Sequence, residues 1–351
     1  MLTVKFEKIH CRVPLRISFA GGGTDLPFYY EKFGGAVIGS TIDKFAYSTL
    51  KLNKLEKDKI LIKSYDYDIQ IILKIKAKFF DLKYNGKLDL AKAVLNVMKP
   101  KKLGFEMLTT SDSYPGSGLA SSTSMVTSIV GVLKSYMKLS LTSYEIAELA
   151  HTIERKNLGI KGGSQDQYAC TFGGFYFIEF HKNSIIVNPL KIRSDIIHEL
   201  ESCLVLVDTK VSHDSSKIHS IQAKSKNKKM EEALHDMKKH AVNMKNQLLK
   251  GTLTEFGEEL HESWETKKKI SDTISTTKIE KIYKHAKEEG VIGGKVLGAG
   301  GGGHMLFYID LEKRKKLEKT LTKLGCQIIP FSFENHGLQS WKVNQIGVGP
   351  G

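Results

Sequence analysis

The stretch PGSGLASSTS, residues 115–124, decides how this chain is read. Gly116 and Gly118 stand directly ahead of LASSTSMVTSIVGVLKSYM, in which Met125, Ile129, Val132 or Leu133, and Tyr136 recur on one helical face. A loop running into a helix start aims its backbone N–H groups, and those of the first turn, at one spot, and the helix dipole favours an anion there. Glycine lets the main chain approach phosphate oxygens with no Cβ in the way. Ser117, Ser121 and Ser122 add hydroxyls suited to a phosphate or a metal ion. An ordinary capped helix start with a flexible entry is the plain alternative, but the density of hydroxyls around the two glycines favours phosphate binding. The GxxxxGK[ST] pattern and its lysine are absent, so this is a different phosphate loop.

Two further glycine stretches lie far from it in sequence. RISFAGGGTD, residues 16–25, sets Gly21, Gly22 and Gly23 between an apolar run and Asp25. GAGGGG, residues 298–303, formally matches GxGxxG, but HMLFYI after it reads as a strand, whereas a dinucleotide fingerprint opens a helix. Five glycines in six residues exceed what a hairpin needs, which points to a turn closing over a substrate or phosphate, with Gly300 and Gly301 as contacts. Between these stretches, Thr142 and Glu145 have capping-box spacing, and Ile146, Leu149, Ala150 and Ile153 form a helical stripe. Glu154 sits at the edge of that stripe, where a carboxylate needs a lysine partner or a bound cation. In GGSQDQYA, Asp166 reads as an enclosed acid in a turn ahead of the apolar segment YACTFGGFYF.

The surrounding chain reads as α+β. Short strands (VKFEKIHCRV, AYSTLKL, KILIKSY, IQIILKI, GFEMLTTS) precede the two helices, and the pair GGFYFIEF and SIIVNPL follows them. After residue 200 come the strand SCLVLVDT, charged helices over 215–290, KVLGAGGGGHMLFYI as strand, turn and strand, a helix over 311–324 and the strand CQIIPFSF. A chain of 351 residues exceeds one core, so two domains are expected, 1–195 and 196–345, with the last residues NQIGVGPG frayed. The net charge of +15 comes almost wholly from lysine and lacks the basic stripe interleaved with aromatics of a nucleic-acid binder; it favours an anionic small molecule. The densest run, 224–240, carries acids at helical spacing and reads as a solvated face. With no apolar run long enough for a membrane span, no signal-like start and four scattered cysteines, a cytoplasmic protein with free buried thiols and no membrane partner is expected.

PGSGLASSTS resembles the PxxxGLxSS phosphate-binding motif of the GHMP kinases, RVPLRISFAGGGTD resembles their first motif and KVLGAGGGGHML their third, in the family's order along essentially the whole chain. LRISFAGGGTDLPFYY, IDKFAYSTL and SQDQYACTFGG are most similar to the bacterial D-glycero-D-manno-heptose 7-phosphate kinases. The resemblance implies a GHMP kinase fold, with an ATP-binding N-terminal domain like ribosomal protein S5 domain 2, a ferredoxin-like C-terminal domain and the active site between them. It implies ATP, bound by Pro115, Gly116, Ser117, Gly118, Leu119, Ala120, Ser121 and Ser122, and Mg²⁺, held by Ser122 and Glu154. Asp166 is implied as the catalytic acid that takes or orients the proton of the attacking hydroxyl, and Arg16 as the base that pairs with it or stabilises the transferring phosphoryl group. Galactokinases carry an acid and a histidine before their TD, where this chain has glycines. Gly22, Gly23, Thr24 and Asp25 are therefore expected at the sugar, the glycines clearing space for a larger or phosphorylated one. The implied reaction phosphorylates the anomeric hydroxyl of heptose 7-phosphate, giving a 1,7-bisphosphate for surface-glycan precursors, by a monomer or homodimer; fucose, galactose or unphosphorylated heptose are the alternative sugars. Arg12, Lys44, Lys161 and Lys210 are open choices for holding the 7-phosphate.

Overall fold

The structure, a computed structural model, describes residues 5–52, 58–75, 80–211 and 228–346. β1 (Lys5–Ala20) and β2 (Gly35–Leu52) pair antiparallel, with irregularities between Pro14 and Leu15 and between Ser18 and Ala20. α1 (Pro27–Phe33) lies in their connection, with Pro27 at the helix start, where its missing N–H has no helical partner to lose. Along β1, Ile9, Cys11 and Val13 are buried while Lys8, His10 and Arg12 are half-exposed; from Val13 to Ala20 every residue is buried. One face is covered in the first part and both in the second, because a second sheet docks there.

β3 (Lys59–Ser64) and β4 (Ile69–Lys74) form a hairpin, α2 (Asp89–Met98) follows, and β5 (Phe105–Ser111) returns parallel to β3 and antiparallel to β2. α3 (Ser121–Met137) packs on β1 and β2, flanked by α4 (Ser143–Thr152) with its π-helical extension (Ile153–Asn157) and by α5 (Gln165–Phe172). β6 (Phe175–His181) joins the first half of β2, and β7 (Ser184–Pro189) pairs with β6. The Thr142–Glu145 capping box forms as read from the sequence. α3 departs from the one-faced helix expected: Thr123 to Leu133 are all buried, because neighbours surround the helix. Its hydroxyls find internal partners, Ser128 on Ser48 at 2.6 Å and Ser124 on the Pro14 carbonyl at 2.9 Å, so small polar residues suit this interior.

The second sheet begins with α6 (Ser194–Cys203) and β8 (Leu204–Asp208). After α7 (Lys228–Lys250), α8 (Leu253–Lys268), a 3₁₀ turn (Asp272–Ile274) and α9 (Thr277–Glu288) come β9 (Gly293–Val296), β10 (His304–Tyr308), α10 (Leu311–Lys323) and β11 (Gln327–Ile328). The antiparallel order β11-β8-β10-β9 is ferredoxin-like. One apolar cluster joins Leu15, Ile17 and Phe19 of β1 to Leu206, Phe256 and Leu260, fixing the two sheets against each other.

Several sequence expectations change. β12 (Gln339–Ile346) pairs with β1 from Lys5↔Ile346 to Arg12↔Gln339, so the end of the expected 196–345 domain belongs to the first sheet, and residues 344–346 are paired rather than frayed. The strand over CQIIPFSF shrinks to Gln327–Ile328, after which Phe331 and Phe333 pack onto the shared cluster. Residues 165–172 are helical, and α1, α2 and α6 were not anticipated. The expected helical stretch at 215–227 and residues 347–351 fall outside the described residues; the remainder of the charged run lies in α7, where Met230, Ala233, Leu234 and Met237 face inward. All four cysteines are free and buried, and no described helix is long and apolar enough to cross a membrane.

Candidate active site

Three loops meet at one cleft: the segment entering α3, the glycine turn after β1 and the turn between β9 and β10. Gly116 and Gly118 have φ of 80° and 85°, and Ala120, at φ 66°, swings the chain into α3. A Cβ on Gly118 would lie 2.7 Å from the Leu297 carbonyl oxygen, and one on Gly303 would lie 2.6 Å from that of Ser117. The two loops thus touch backbone to backbone, and His304 donates to the Ser117 carbonyl from its main-chain N–H (3.0 Å) and from Nδ1 (2.8 Å). Gly116, Ser117, Gly118, Ala120, Ser121 and Ser122 line the cleft. Pro115 and Leu119 do not: Pro115 is exposed beyond it and Leu119 is buried in the apolar cluster. The Ser121 hydroxyl donates to the Ser113 carbonyl at 2.7 Å, whereas the half-buried Ser122 hydroxyl has no partner among the described residues.

Arg16 ties the first loop to the acids. From β1 its Nε and Nη2 donate to Asp166 Oδ1 at 2.9 and 2.7 Å, its Nη1 to the Gly118 carbonyl at 2.6 Å, and its main-chain N–H to the Leu119 carbonyl at 3.1 Å. Burial opposes the guanidinium charge, but Asp166 beside it, together with Tyr176 and Cys170, holds its pKa above the ordinary value. Asp166 lies in the first turn of α5 rather than in a turn, a position where the helix dipole favours a carboxylate. The helix forms because Gln167, Tyr168, Ala169, Cys170 and Thr171 all find buried positions against α3 and α4.

Glu154, on the π-helical turn, is 1% exposed. Its carboxylate accepts from the Thr123 hydroxyl at 2.9–3.0 Å and from Gln167 Nε2, and among the described residues no lysine or arginine lies within ion-pair distance. The salt bridge left open by the sequence is therefore absent. Burial pushes its pKa up, against the opposing pull of the Arg155 charge and of the Gln167 and Thr123 hydrogen bonds. π-helical turns recur at functional sites.

Asp25 is also buried, with Oδ1 accepting the Gly23 N–H at 3.0 Å and Oδ2 the Gln165 N–H at 3.1 Å. A Cβ on Gly163 would meet Oδ2 at 1.9 Å, so glycine is required where this carboxylate docks on the loop carrying Asp166. Burial raises the Asp25 pKa against the opposing pull of the Gln165 N–H. Arg155 braces that loop from outside, donating to the Gly163 carbonyl at 2.8 Å and the Ile160 carbonyl at 3.3 Å.

The glycines assigned to the sugar divide. Gly22 and Gly23 line the cleft. Gly21, at φ 88°, instead packs on β2, where a Cβ would fall 2.0 Å from the Ala36 carbonyl oxygen. Thr24, expected at the sugar, is fully buried: its hydroxyl reaches the Gly21 carbonyl (2.8 Å) and accepts the Ala36 N–H (3.0 Å), pinning the turn to β2. Gly300 and Gly301 back onto Ile274, with the Gly301 N–H on its carbonyl at 2.7 Å, and Gly298 and Ala299 line the cleft in their place. Of the four basic residues offered for a distal phosphate, Lys161 lines the cleft. Arg12 lies over Phe45, Lys44 pairs with Asp43, and Lys210 pairs with Asp208.

Sequence reasoning missed Lys267 and Lys295, both almost wholly buried. Lys267, from α8, lines the cleft and donates to the Gly298 carbonyl; Lys295, on β9, donates to the Phe19 carbonyl at 2.6 Å. The available signal was position: Phe256, Leu260, Trp264 and Lys267 share one helical stripe, so this lysine points where its apolar neighbours point.

Known proteins resemble this chain in sequence and fold. The GHMP kinases N terminal domain family matches residues 89–174, and the GHMP kinases C terminal family matches residues 244–325. A Campylobacter jejuni protein named D-glycero-alpha-D-manno-heptose 7-phosphate kinase is 40% identical over 343 residues, spanning 96% of this chain and 100% of its own length. The crystal structure of a D-glycero-D-manno-heptose 1-phosphate kinase from Bacteriodes thetaiotaomicron superposes with a TM-score of 0.80 at 33% identity, covering 95% of this chain and 99% of that one. Lactococcus lactis galactokinase shares the fold at 18% identity, with a TM-score of 0.76 and 95% of each chain covered. With its phosphate loop, its fold and a relative this similar along its whole length, the chain belongs to the GHMP kinases and is a phosphotransferase that uses ATP.

Proposed function

We propose that the protein transfers the γ-phosphoryl group of ATP to the anomeric hydroxyl of D-glycero-D-manno-heptose 7-phosphate, giving the 1,7-bisphosphate. The observation that carries the reading is the Arg16–Asp166 pair, which faces the cleft beside the backbone donors of residues 116–122. Phosphoryl transfer needs positioning and charge neutralisation more than covalent participation, and this arrangement supplies both. Asp166 accepts the proton of the sugar hydroxyl; Arg16 fixes the carboxylate and, through the Gly118 carbonyl, the loop. Asp25, held by two backbone N–H groups, suits sugar hydroxyls as an acceptor. Lys161, lining the cleft from within the braced 160–163 loop, is the basic residue best suited to a distal phosphate.

The residues also fit a magnesium ion. Glu154 is a buried carboxylate with only neutral donors, Gln167 Oε1 beside it is buried without a partner, and the Ser122 hydroxyl is uncommitted. Magnesium binds through one or two protein oxygens plus substrate phosphates, and would neutralise phosphate charge here. Ser122 and Glu154 would hold it.

The test is a coupled ADP-release assay over heptose 7-phosphate, unphosphorylated heptose, galactose and fucose. Heptose 7-phosphate is expected to show the highest kcat/KM, by about 100-fold or more, since a site built for a charged group rejects analogues lacking it. Equal or faster turnover of an unphosphorylated sugar overturns the substrate assignment.

A further inference from the structure

Lys267 is a cation the reaction outlined above does not use. It enters the cleft from α8 and is 6% exposed. Its ammonium has three protons, and the single acceptor found for it is the Gly298 carbonyl. Among the described residues no carboxylate lies within ion-pair distance of it, while Arg16 adds a like charge nearby. A buried ammonium without an acid partner is costly, and Lys267, unlike the equally buried Lys295, lines the cleft where an anion can reach it. Gly298, its anchor, is also the residue that packs on Gly118, so the ammonium stands at the junction of the two loops, on the same wall as Arg16.

We infer that Lys267 is a catalytic residue that contacts the phosphoryl group in transit, delivered by α8, which packs on β9 of the second sheet, to a site whose acids and Arg16 belong to the first half of the chain. The inference rests on the kinase reading of this cleft. In the step it serves, the sugar hydroxyl oxygen forms the new bond to the γ-phosphorus. The bond from that phosphorus to the β–γ bridging oxygen breaks with its electron pair passing to ADP, and the hydroxyl proton goes to the Asp166 carboxylate. Lys267 keeps its proton throughout and donates hydrogen bonds that strengthen as charge gathers on the phosphoryl oxygens. Such a contact, made in the transition state more than in the ground state, shows in kcat.

The experiment compares Lys267→Met and Lys267→Arg with wild type in steady-state kinetics, on whichever sugar of the panel the wild type phosphorylates. A wrong substrate assignment is thereby detected separately, and turnover of none of them overturns both readings. Lys267→Met should lower kcat about 10²- to 10³-fold, the range for loss of one preorganised donor, with both KM values within about threefold. Lys267→Arg should recover part of the loss. A raised sugar KM at unchanged kcat would assign Lys267 to ground-state binding and overturn the inference, as would unchanged kinetics. If the methionine variant does not fold, the wild-type pH profile decides. Burial, then the Arg16 charge, brings the Lys267 pKa down to about 8, with Asp25 pulling the other way, while burial holds the pKa of Lys295 on β9 well below the ordinary value. The lysine is thus charged below that pH and neutral above it, so kcat/KM should fall about tenfold per pH unit beyond it. A flat profile through about pH 9.5 overturns the inference.

Discussion

Replacing Gly21 and Gly22 one at a time by alanine separates two roles that adjacent glycines would otherwise share. At Gly21 the new Cβ would lie 2.0 Å from the Ala36 carbonyl oxygen and 2.7 Å from Val37 Cα, both backbone atoms of β2, so no side chain can swing away. A φ of 88° adds the left-handed strain of an L-residue, about 1–2 kcal/mol, and the overpacking adds about 1–3 kcal/mol, giving roughly 2–5 kcal/mol in all. At Gly22 the nearest atom to a Cβ is Gln165 Nε2 at 3.7 Å, an ordinary contact, and the methyl projects into the cleft. Urea unfolding and sugar KM are the two readouts. Gly21→Ala should lose the stated stability while its folded fraction keeps the sugar KM. Gly22→Ala should unfold within about 0.5 kcal/mol of wild type but raise the sugar KM about tenfold, the worth of one misplaced methyl in a binding wall. A Gly21→Ala variant as stable as wild type with a raised sugar KM would refute the reasoning, because Gly21 would then face the substrate.

Asp166→Asn should reduce transfer by at least about 10³-fold while ATP affinity, measured by calorimetry, stays within a few-fold; full activity removes Asp166 from the chemistry. Glu154→Gln keeps the shape and the Thr123 contact but removes the charge, so a higher magnesium concentration should be needed for half-maximal rate, and an unchanged Mg²⁺ titration would count against the assignment. Thr24→Val strands the Ala36 N–H and should cost about 1–3 kcal/mol in unfolding free energy, with Thr24→Ser recovering most of it; a neutral Thr24→Val would mean the hydroxyl does not pin the turn.

The parts of the fold legible in the sequence are those set by local chemistry. The capping box at Thr142, the β6–β7 pair and the strand, turn and strand around residues 293–308 follow from spacing and turn residues a few positions apart. β12 was invisible because QSWKVNQI has no clean alternation, and its pairing partner β1 lies more than 300 residues away. α5 was hidden for a different reason: flanking glycines at 162–163 and 173–174 make its eight residues look like a turn, and only packing against α3 and α4 makes them worth ordering as a helix.

The site shows the same division at finer scale. Motifs identify a residue type where chemistry demands it, which is how Arg16, Glu154 and Asp166 could be singled out before any geometry was known. They do not say which member of a glycine run faces the ligand, since that depends on what lies behind each one: Ala36 behind Gly21, Ile274 behind Gly300, Leu297 behind Gly118. They are equally silent on Lys267, because in a chain with 53 lysines and arginines one more lysine carries no signal by type. Its placement on the helical stripe of Phe256, Leu260 and Trp264 does carry one: burying an ammonium at such a position is unfavourable unless something anionic meets it. In a strongly basic chain, the lysines to look for are therefore those at positions where the helical pattern calls for leucine.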